Sequence, residues 1–287
     1  MKVVITIDDV PGEGDQVAGM NRTDVARAIL KALKDNGVEQ AYGMANGWEI
    51  DTHPGEIEIL KEWLKAGYPL GNHTYHHISL EKVSADAYTA DIEKMDRLLQ
   101  TLEPVSPLAA KRHVFRYPYL EEGSNLQKRD AVRNYLAKNG YAIAEVTVDT
   151  NDWAWTDAYN RCSAQDDEKQ MTWLTEHAVD NIERHLRAAR IIANRLFHRQ
   201  VPQIVLIHAG VIEAVTLDAV LKDLRSKGVQ LITLEEALKD PMYSFNPNLA
   251  YQGGETFLDQ IASVRELNVD PFRDTMYTVD KINLICK

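Results

Sequence analysis

Val3-Val4-Ile5-Thr6-Ile7-Asp8-Asp9 is a run of mostly β-branched residues that stops on two carboxylates. The run is too short for a helix and reads as a buried strand. Beyond it, Thr23-Asp24 opens a helix that carries Ala26, Ile29, Leu30 and Leu33 on one face and closes at Gly37. A strand over 40–45 follows, then a helix over 54–66 with Pro54 in its first turn and Gly67 at its end. The rhythm continues with a strand over 69–72, a helix over 84–102, a strand over 113–116 and a helix over 126–139 that ends at Gly140. A strand over 142–148, a long helical stretch over 168–199, a strand over 204–207, a helix over 216–227 stopped by Gly228 and a strand over 229–232 complete it. About seven β–α units in series predict an α/β chain, a distorted (β/α) barrel of about seven parallel strands with its active site at the C-terminal strand ends. From about residue 240 the rhythm breaks at Pro241, Pro247, Gly253-Gly254 and Pro271. The expected division is therefore a barrel over 1–240 and a C-terminal extension over 241–287 packed on it.

The composition is that of a globular protein, 45% hydrophobic and 26% charged over 287 residues, with material for a sizeable core. A net charge of −11 speaks against a general nucleic-acid or anionic-membrane binder, because long-range repulsion opposes the encounter. No apolar run reaches the length of a membrane span, so no membrane insertion is expected. Met1-Lys2 leads straight into the first strand without a signal-like region. A leader already removed leaves no trace, so the compartment stays open between cytoplasmic and periplasmic or secreted. Cys162 and Cys286 lie far apart. A bridge between them requires the C-terminus to fold back, and two free thiols are the simpler expectation.

The chemically unusual residues fall where the expected strands end. Asp8 and Asp9 follow the first strand, His73, Thr74, His76 and His77 the third. Arg116, Pro118 and Tyr119 follow another, Asp149, Asp152 and Trp153 the next, and His208 the apolar run Val205-Leu206-Ile207. Singly each has an ordinary reading: Asp-Asp is the composition of a solvated turn, Arg116 of a salt bridge, His208 of a hydrogen-bonded core histidine. Together they lie on one rim of a parallel barrel, the face that carries active sites. Two neutral imidazoles and a carboxylate suit a divalent cation, zinc by preference, with positions open for water and substrate. A second carboxylate serves as base, an arginine keeps it ionised, and a histidine paired with an aspartate serves as acid. These are the parts of an amide or ester hydrolase.

The ordered series Thr6-Ile7-Asp8-Asp9, His73-Thr74-Tyr75-His76-His77, Arg116-Tyr117-Pro118-Tyr119, Asp149-Thr150-Asn151-Asp152-Trp153 and Leu206-Ile207-His208 resembles the polysaccharide deacetylases, carbohydrate esterase family four. The resemblance runs over about residues 3–240. It implies metal-dependent hydrolysis of an acetylated carbohydrate, with N-acetylglucosamine units of chitin-like or peptidoglycan polymers and oligomers as the first expectation. On the matching positions it implies Asp8 as general base, and Asp9, His73 and His77 as metal ligands. Thr74 would support the ligand loop, and Arg116 would orient Asp8. The backbone N–H of Tyr119 would help stabilise the tetrahedral oxyanion. Asp152 would pair with His208, the general acid, and Trp153 would wall the pocket for the acetyl methyl. His76 matches no ligand position.

The chain departs from the family pattern in three places. Val10-Pro11 follows the aspartates where glycine is usual, Ile78 stands where proline often follows the last histidine, and residues 155–199 are longer than a minimal member needs. These changes touch loops that shape the cleft and leave the ligand set intact. Two other readings are a hydrolase of small non-peptide amides on the same fold and a non-catalytic sugar-binding relative. The complete Asp9, His73 and His77 set weighs against a metal-free amidase, and the full complement of base and acid against a mere binder. Oligomeric state is not readable from the sequence.

Overall fold

The computed structural model describes all residues of the chain except Asp15, Ala18 and Gln252. In chain order it begins β1 (Lys2–Val10), α1 (Arg22–Asp35), β2 (Ala41–Ala45), α2 (Trp48–Thr52), α3 (Ile57–Lys65), β3 (Leu70–Asn72) and α4 (Ala85–Gln100). It continues with β4 (Val114–Phe115), α5 (Leu126–Lys138), β5 (Ala142–Ile143), β6 (Val148–Asp149), α6 (Asp152–Ala164) and α7 (Glu168–Phe197). It ends with β7 (Gln203–His208), α8 (Val211–Ser226), β8 (Gln230–Leu231), α9 (Leu234–Ala237), α10 (Phe257–Val264) and α11 (Val279–Ile282). Seven parallel strands run in the order β5-β4-β3-β2-β1-β7-β6, and β8 adds to the start of β1. The sheet curls into a distorted barrel, as the rhythm of the sequence predicts.

Alternation along β1 sets the layers. Val3, Ile5 and Ile7 pack outward with Ile29 and Leu33 of α1 and with the buried faces of α3, α7 and α8. Val4 points the other way, into a cluster with Tyr42, Met44, Val114, Ala144 and Ile204. Thr6 and Asp8 continue this inward series, so the first carboxylate of the pair emerges inside the barrel at its upper end. Helix α1 starts on a capping box in which Asn21 accepts from Asp24 N–H at 3.1 Å and the Asn21 N–H donates to the Asp24 carboxylate at 3.2 Å. The cap stands two residues ahead of the start expected at Thr23.

Three local expectations need correction. The single strand expected over 142–148 is two short strands, because one extended run changes partner midway: its first half pairs with β4 and its second with β7. A helix that the sequence did not announce, α6, begins directly at Asp152. The cysteines are joined rather than free: Cys162 on α6 and Cys286 form a disulfide across 124 positions. The C-terminus therefore does fold back. Cys286→Ser is expected to lower unfolding stability by about 2–5 kcal/mol, from lost constraint on the unfolded chain. Denaturant titration with and without reductant checks this, since a reduced parent chain must match the variant. Among the described residues no helix is long and apolar enough to cross a membrane.

Candidate active site

The barrel's upper rim gathers the residues singled out from the sequence. At the tip of β1, Asp8 is buried and is held by Arg116, whose Nη1 donates to its two oxygens at 2.9 and 3.1 Å. The same guanidinium donates through Nη2 to Thr6 Oγ1 at 3.0 Å and through Nε to the Ala144 carbonyl at 2.7 Å. All three of its nitrogens are engaged, so its fork fixes the plane of the Asp8 carboxylate. Burial pushes the Asp8 carboxyl up to about 6, against the pull of the Arg116 charge.

Asp9 turns away from Asp8 through a left-handed backbone (φ 60°) and meets two imidazoles. His77 Nε2 lies 3.3 Å and His73 Nε2 3.6 Å from Asp9 Oδ1. One ligand atom from each of Asp9, His73 and His77 lies within 4.8 Å of the others, the span that one cation bridges. The Nδ1 of His73 sits 2.9 Å from the Arg116 carbonyl. A carbonyl only accepts, so Nδ1 carries the proton and the Nε2 lone pair faces the carboxylate. Burial pulls the His73 imidazole down to about 3, which keeps it neutral as a ligand must be. The donor set thus fits a divalent ion by number, chemistry and tautomer.

His76, the other histidine of the run, faces elsewhere: its ring pairs with Asp91 on α4, and its N–H donates to the same carboxylate at 2.9 Å. Thr74 is fully buried beneath the ligands, with its N–H on Asn72 Oδ1 at 3.0 Å and its hydroxyl accepting from Ile78 N–H at 3.4 Å. Across the rim, His208 ends β7 in register with Asp8. Its Nδ1 is 2.9 Å from Asp152 Oδ1, and its backbone N–H donates to Asp152 Oδ2 at 2.6 Å. Burial alone would lower the His208 pKa; the Asp152 carboxylate outweighs it and holds the imidazole well above its usual value. Asp152 occupies the first turn of α6, which adds the favourable field of a helix N-terminus.

A cavity of about 670 Å³ opens above these groups and is lined by Asp8, Asp9, His73, His77, His208 and Trp153, among others. Tyr119 stands at its rim, 54% exposed, with its ring centroid 4.5 Å from that of His77. Asp9, Thr74, His77, Tyr119, Leu120 and Asn151 all hold a left-handed backbone without being glycine. Such conformations persist only where the surroundings over-determine them, and they gather around the rim.

Some residues of the site were missed. Asn46, one position beyond β2, donates to Asp9 Oδ1 at 3.0 Å and orients that carboxylate; its place past a strand end was the available signal. Glu13 lines the cavity, and burial pushes its carboxyl up to about 8. Its position in the atypical loop after Val10-Pro11 gave no sign of this. Glu213 on α8 is buried behind Asp152, and burial followed by the Asp152 charge raises its carboxyl well above the usual carboxylate range. A second acidic group, Glu49, His53 and Glu56, also has cation-like spacing. Arg22 already supplies positive charge there, 2.6 Å from Glu49 and 3.1 Å from Glu56.

Comparison with known proteins identifies a family. The family model described as polysaccharide deacetylase matches residues 1–144. A peptidoglycan-N-acetylglucosamine deacetylase of Bacillus cereus is 29% identical over 53% of this chain and 46% of its own length. A chitin deacetylase of Arthroderma benhamiae is 22% identical over 83% of this chain and 52% of its own length. The chain thus spans about half the length of the curated relatives it matches. A solved structure of a peptidoglycan deacetylase from Bacillus subtilis, in variant form, superposes with a TM-score of 0.54 at 22% identity, over 84% of this chain and 93% of that one. At that identity the likeness speaks to the fold.

Proposed function

Since the chain belongs to the polysaccharide deacetylase family, we propose that it hydrolyses the acetyl group of an acetylated carbohydrate in the cleft at its barrel rim. N-acetylglucosamine units of peptidoglycan or chitin-like chains are the first candidates, in keeping with what the Bacillus cereus and Arthroderma benhamiae relatives are named for. The observation that carries this reading is convergence. One cavity is lined by the Asp9, His73 and His77 ligand set, by Asp8 with Arg116 behind it, and by His208 with Asp152 behind it.

Asp9, His73 and His77 would hold a divalent ion, zinc by preference, which when bound lowers the pKa of a water and polarises the acetyl carbonyl. Asp8, aimed by Arg116, takes the proton of the attacking water. The Tyr119 N–H donates to the oxygen on which negative charge develops. His208, kept protonated by Asp152, gives a proton to the leaving nitrogen. Trp153 walls the space for the acetyl methyl.

Acetate release from chitooligosaccharides, peptidoglycan, acetylxylan and free N-acetylglucosamine tests the proposal, each with chelator and with added zinc. Release from an N-acetylglucosamine oligomer or peptidoglycan, abolished by chelator and restored by zinc, is expected. Release from none of them would shift the reading to small amides.

A further inference from the structure

The chain past residue 240 reaches back to the rim at one tight contact. An ideal Cβ placed on Gly254 would lie 1.7 Å from the Tyr119 carbonyl oxygen, 2.9 Å from its carbonyl carbon and 3.3 Å from Leu120 Cβ. No side chain fits there, and the atoms in the way are backbone. The glycine therefore lies directly against the peptide unit that follows Tyr119.

That peptide unit needs support. Tyr119 (φ 59°, ψ 11°) and Leu120 (φ 55°) are consecutive left-handed residues, neither of them glycine, in a short turn over Pro118–Leu120. The turn itself supplies two hydrogen bonds, Leu120 N–H to the Tyr117 carbonyl and Glu121 N–H to the Pro118 carbonyl, both at 3.1 Å. Strained pairs of this kind keep their geometry only when something outside the turn also holds them.

The C-terminal segment is well placed to do so, because it is anchored on both sides of Gly254. Tyr251 N–H donates to the Gly123 carbonyl at 3.2 Å, just downstream of Tyr119, and Phe257 N–H to the Val146 carbonyl at 2.6 Å, between β5 and β6. Asn246 Oδ1 accepts from the buried Arg129 of α5 at 2.7 Å. Phe257 is itself buried, with its ring stacked on Tyr243.

We propose that Gly254 is a positioning residue for deacetylation: by holding the Tyr119–Leu120 peptide unit, the C-terminal segment locks the left-handed Tyr119 backbone (φ 59°, ψ 11°), and through it the orientation of the preceding peptide unit that carries the Tyr119 N–H. The proposal rests on the deacetylase reading above, in which that N–H meets the developing oxyanion. It makes the segment beyond the barrel part of the catalytic geometry, although none of its side chains is assigned to the chemistry.

The test is Gly254→Ala in the full chain. The variant should lose about 10- to 100-fold in kcat, the size of a misplaced oxyanion donor, with KM and zinc affinity close to the parent's and a melting midpoint lowered by the displaced segment. Deuterium uptake across residues 117–121 should rise. If Gly254→Ala does not fold, Asn246→Ala, which frees an anchor away from the cleft, should show the same pattern at smaller size. Parental kcat, or a loss of kcat only in step with zinc affinity, would overturn the proposal. A parent chain that releases no acetate overturns the deacetylase reading, and the exchange comparison then still decides whether Gly254 holds the turn.

Discussion

Replacing His77 with alanine is expected to remove the ion and, with it, at least about 10⁴-fold of the hydrolytic rate, beyond the upper end of what a single acid or base supplies. The argument starts from the geometry of the cluster. Asp9 Oδ1 faces His77 Nε2 at 3.3 Å and His73 Nε2 at 3.6 Å, while Asn46 donates to the same oxygen. With Asp9, His73 and His77 as the proposed ligands among the described residues, loss of one leaves a pair that holds zinc poorly. Disturbing an outer partner alone typically costs about 10–100-fold in affinity, so loss of a ligand should exceed about 100-fold. Zinc content after gel filtration, zinc titration and kcat/KM measure the three consequences together. His76→Ala is the matching control, because His76 lies in the same run but pairs with Asp91 instead. A His77→Ala chain that stays active and indifferent to chelator would sink the assignment.

This site was legible because its parts are tied to strand ends. A β-branched run such as residues 3–7 announces a strand by itself, and whatever follows it must emerge on the barrel's upper rim. His208 and Asp8 sit in register across β1 and β7, so two runs 200 positions apart in sequence deliver a carboxylate and an imidazole to neighbouring points. What stayed hidden depends on tertiary partners. Helix α6 follows a left-handed Asn151 with no side-chain cap, so it shows no capping signature, and its buried face mixes Trp155, Thr156 and Cys162 rather than a plain apolar stripe. The run over 142–148 has the pattern of one strand; only the change of neighbour from β4 to β7 divides it. The Cys162–Cys286 bridge requires the whole C-terminal segment to return, which no local pattern encodes. Gly254 belongs to the same class, since its need to be glycine arises from Tyr119, far away in sequence.

Asp8→Asn should separate ion from base. Asparagine keeps the size of the side chain and one accepting oxygen, and Asp9, His73 and His77 remain in place, so zinc binding is expected to survive. What disappears is the charge and the ability to take a proton. The loss of a positioned base predicts a fall of about 10²–10⁴ in kcat/KM with zinc content unchanged. A second consequence follows from burial. Asp8 and Arg116 form an ion pair with both side chains only 2% exposed, so the substitution leaves a buried guanidinium without its counter-charge. Removing one partner of such a pair costs about 3–5 kcal/mol, and Thr6 and Ala144, which continue to accept from Arg116, bring the expected loss to the lower end. Denaturant unfolding of the zinc-loaded chains reads that loss independently of activity. The sign of the pH dependence also follows: burial raises the Asp8 carboxyl to about 6 and a bound cation would draw it back down, so the parent should lose activity as pH falls through or below that region, because the base works only when ionised. A zinc-loaded Asp8→Asn chain with parental turnover would take the base role away from Asp8, and Asp149, which lines the same cavity, would be the carboxylate to test next.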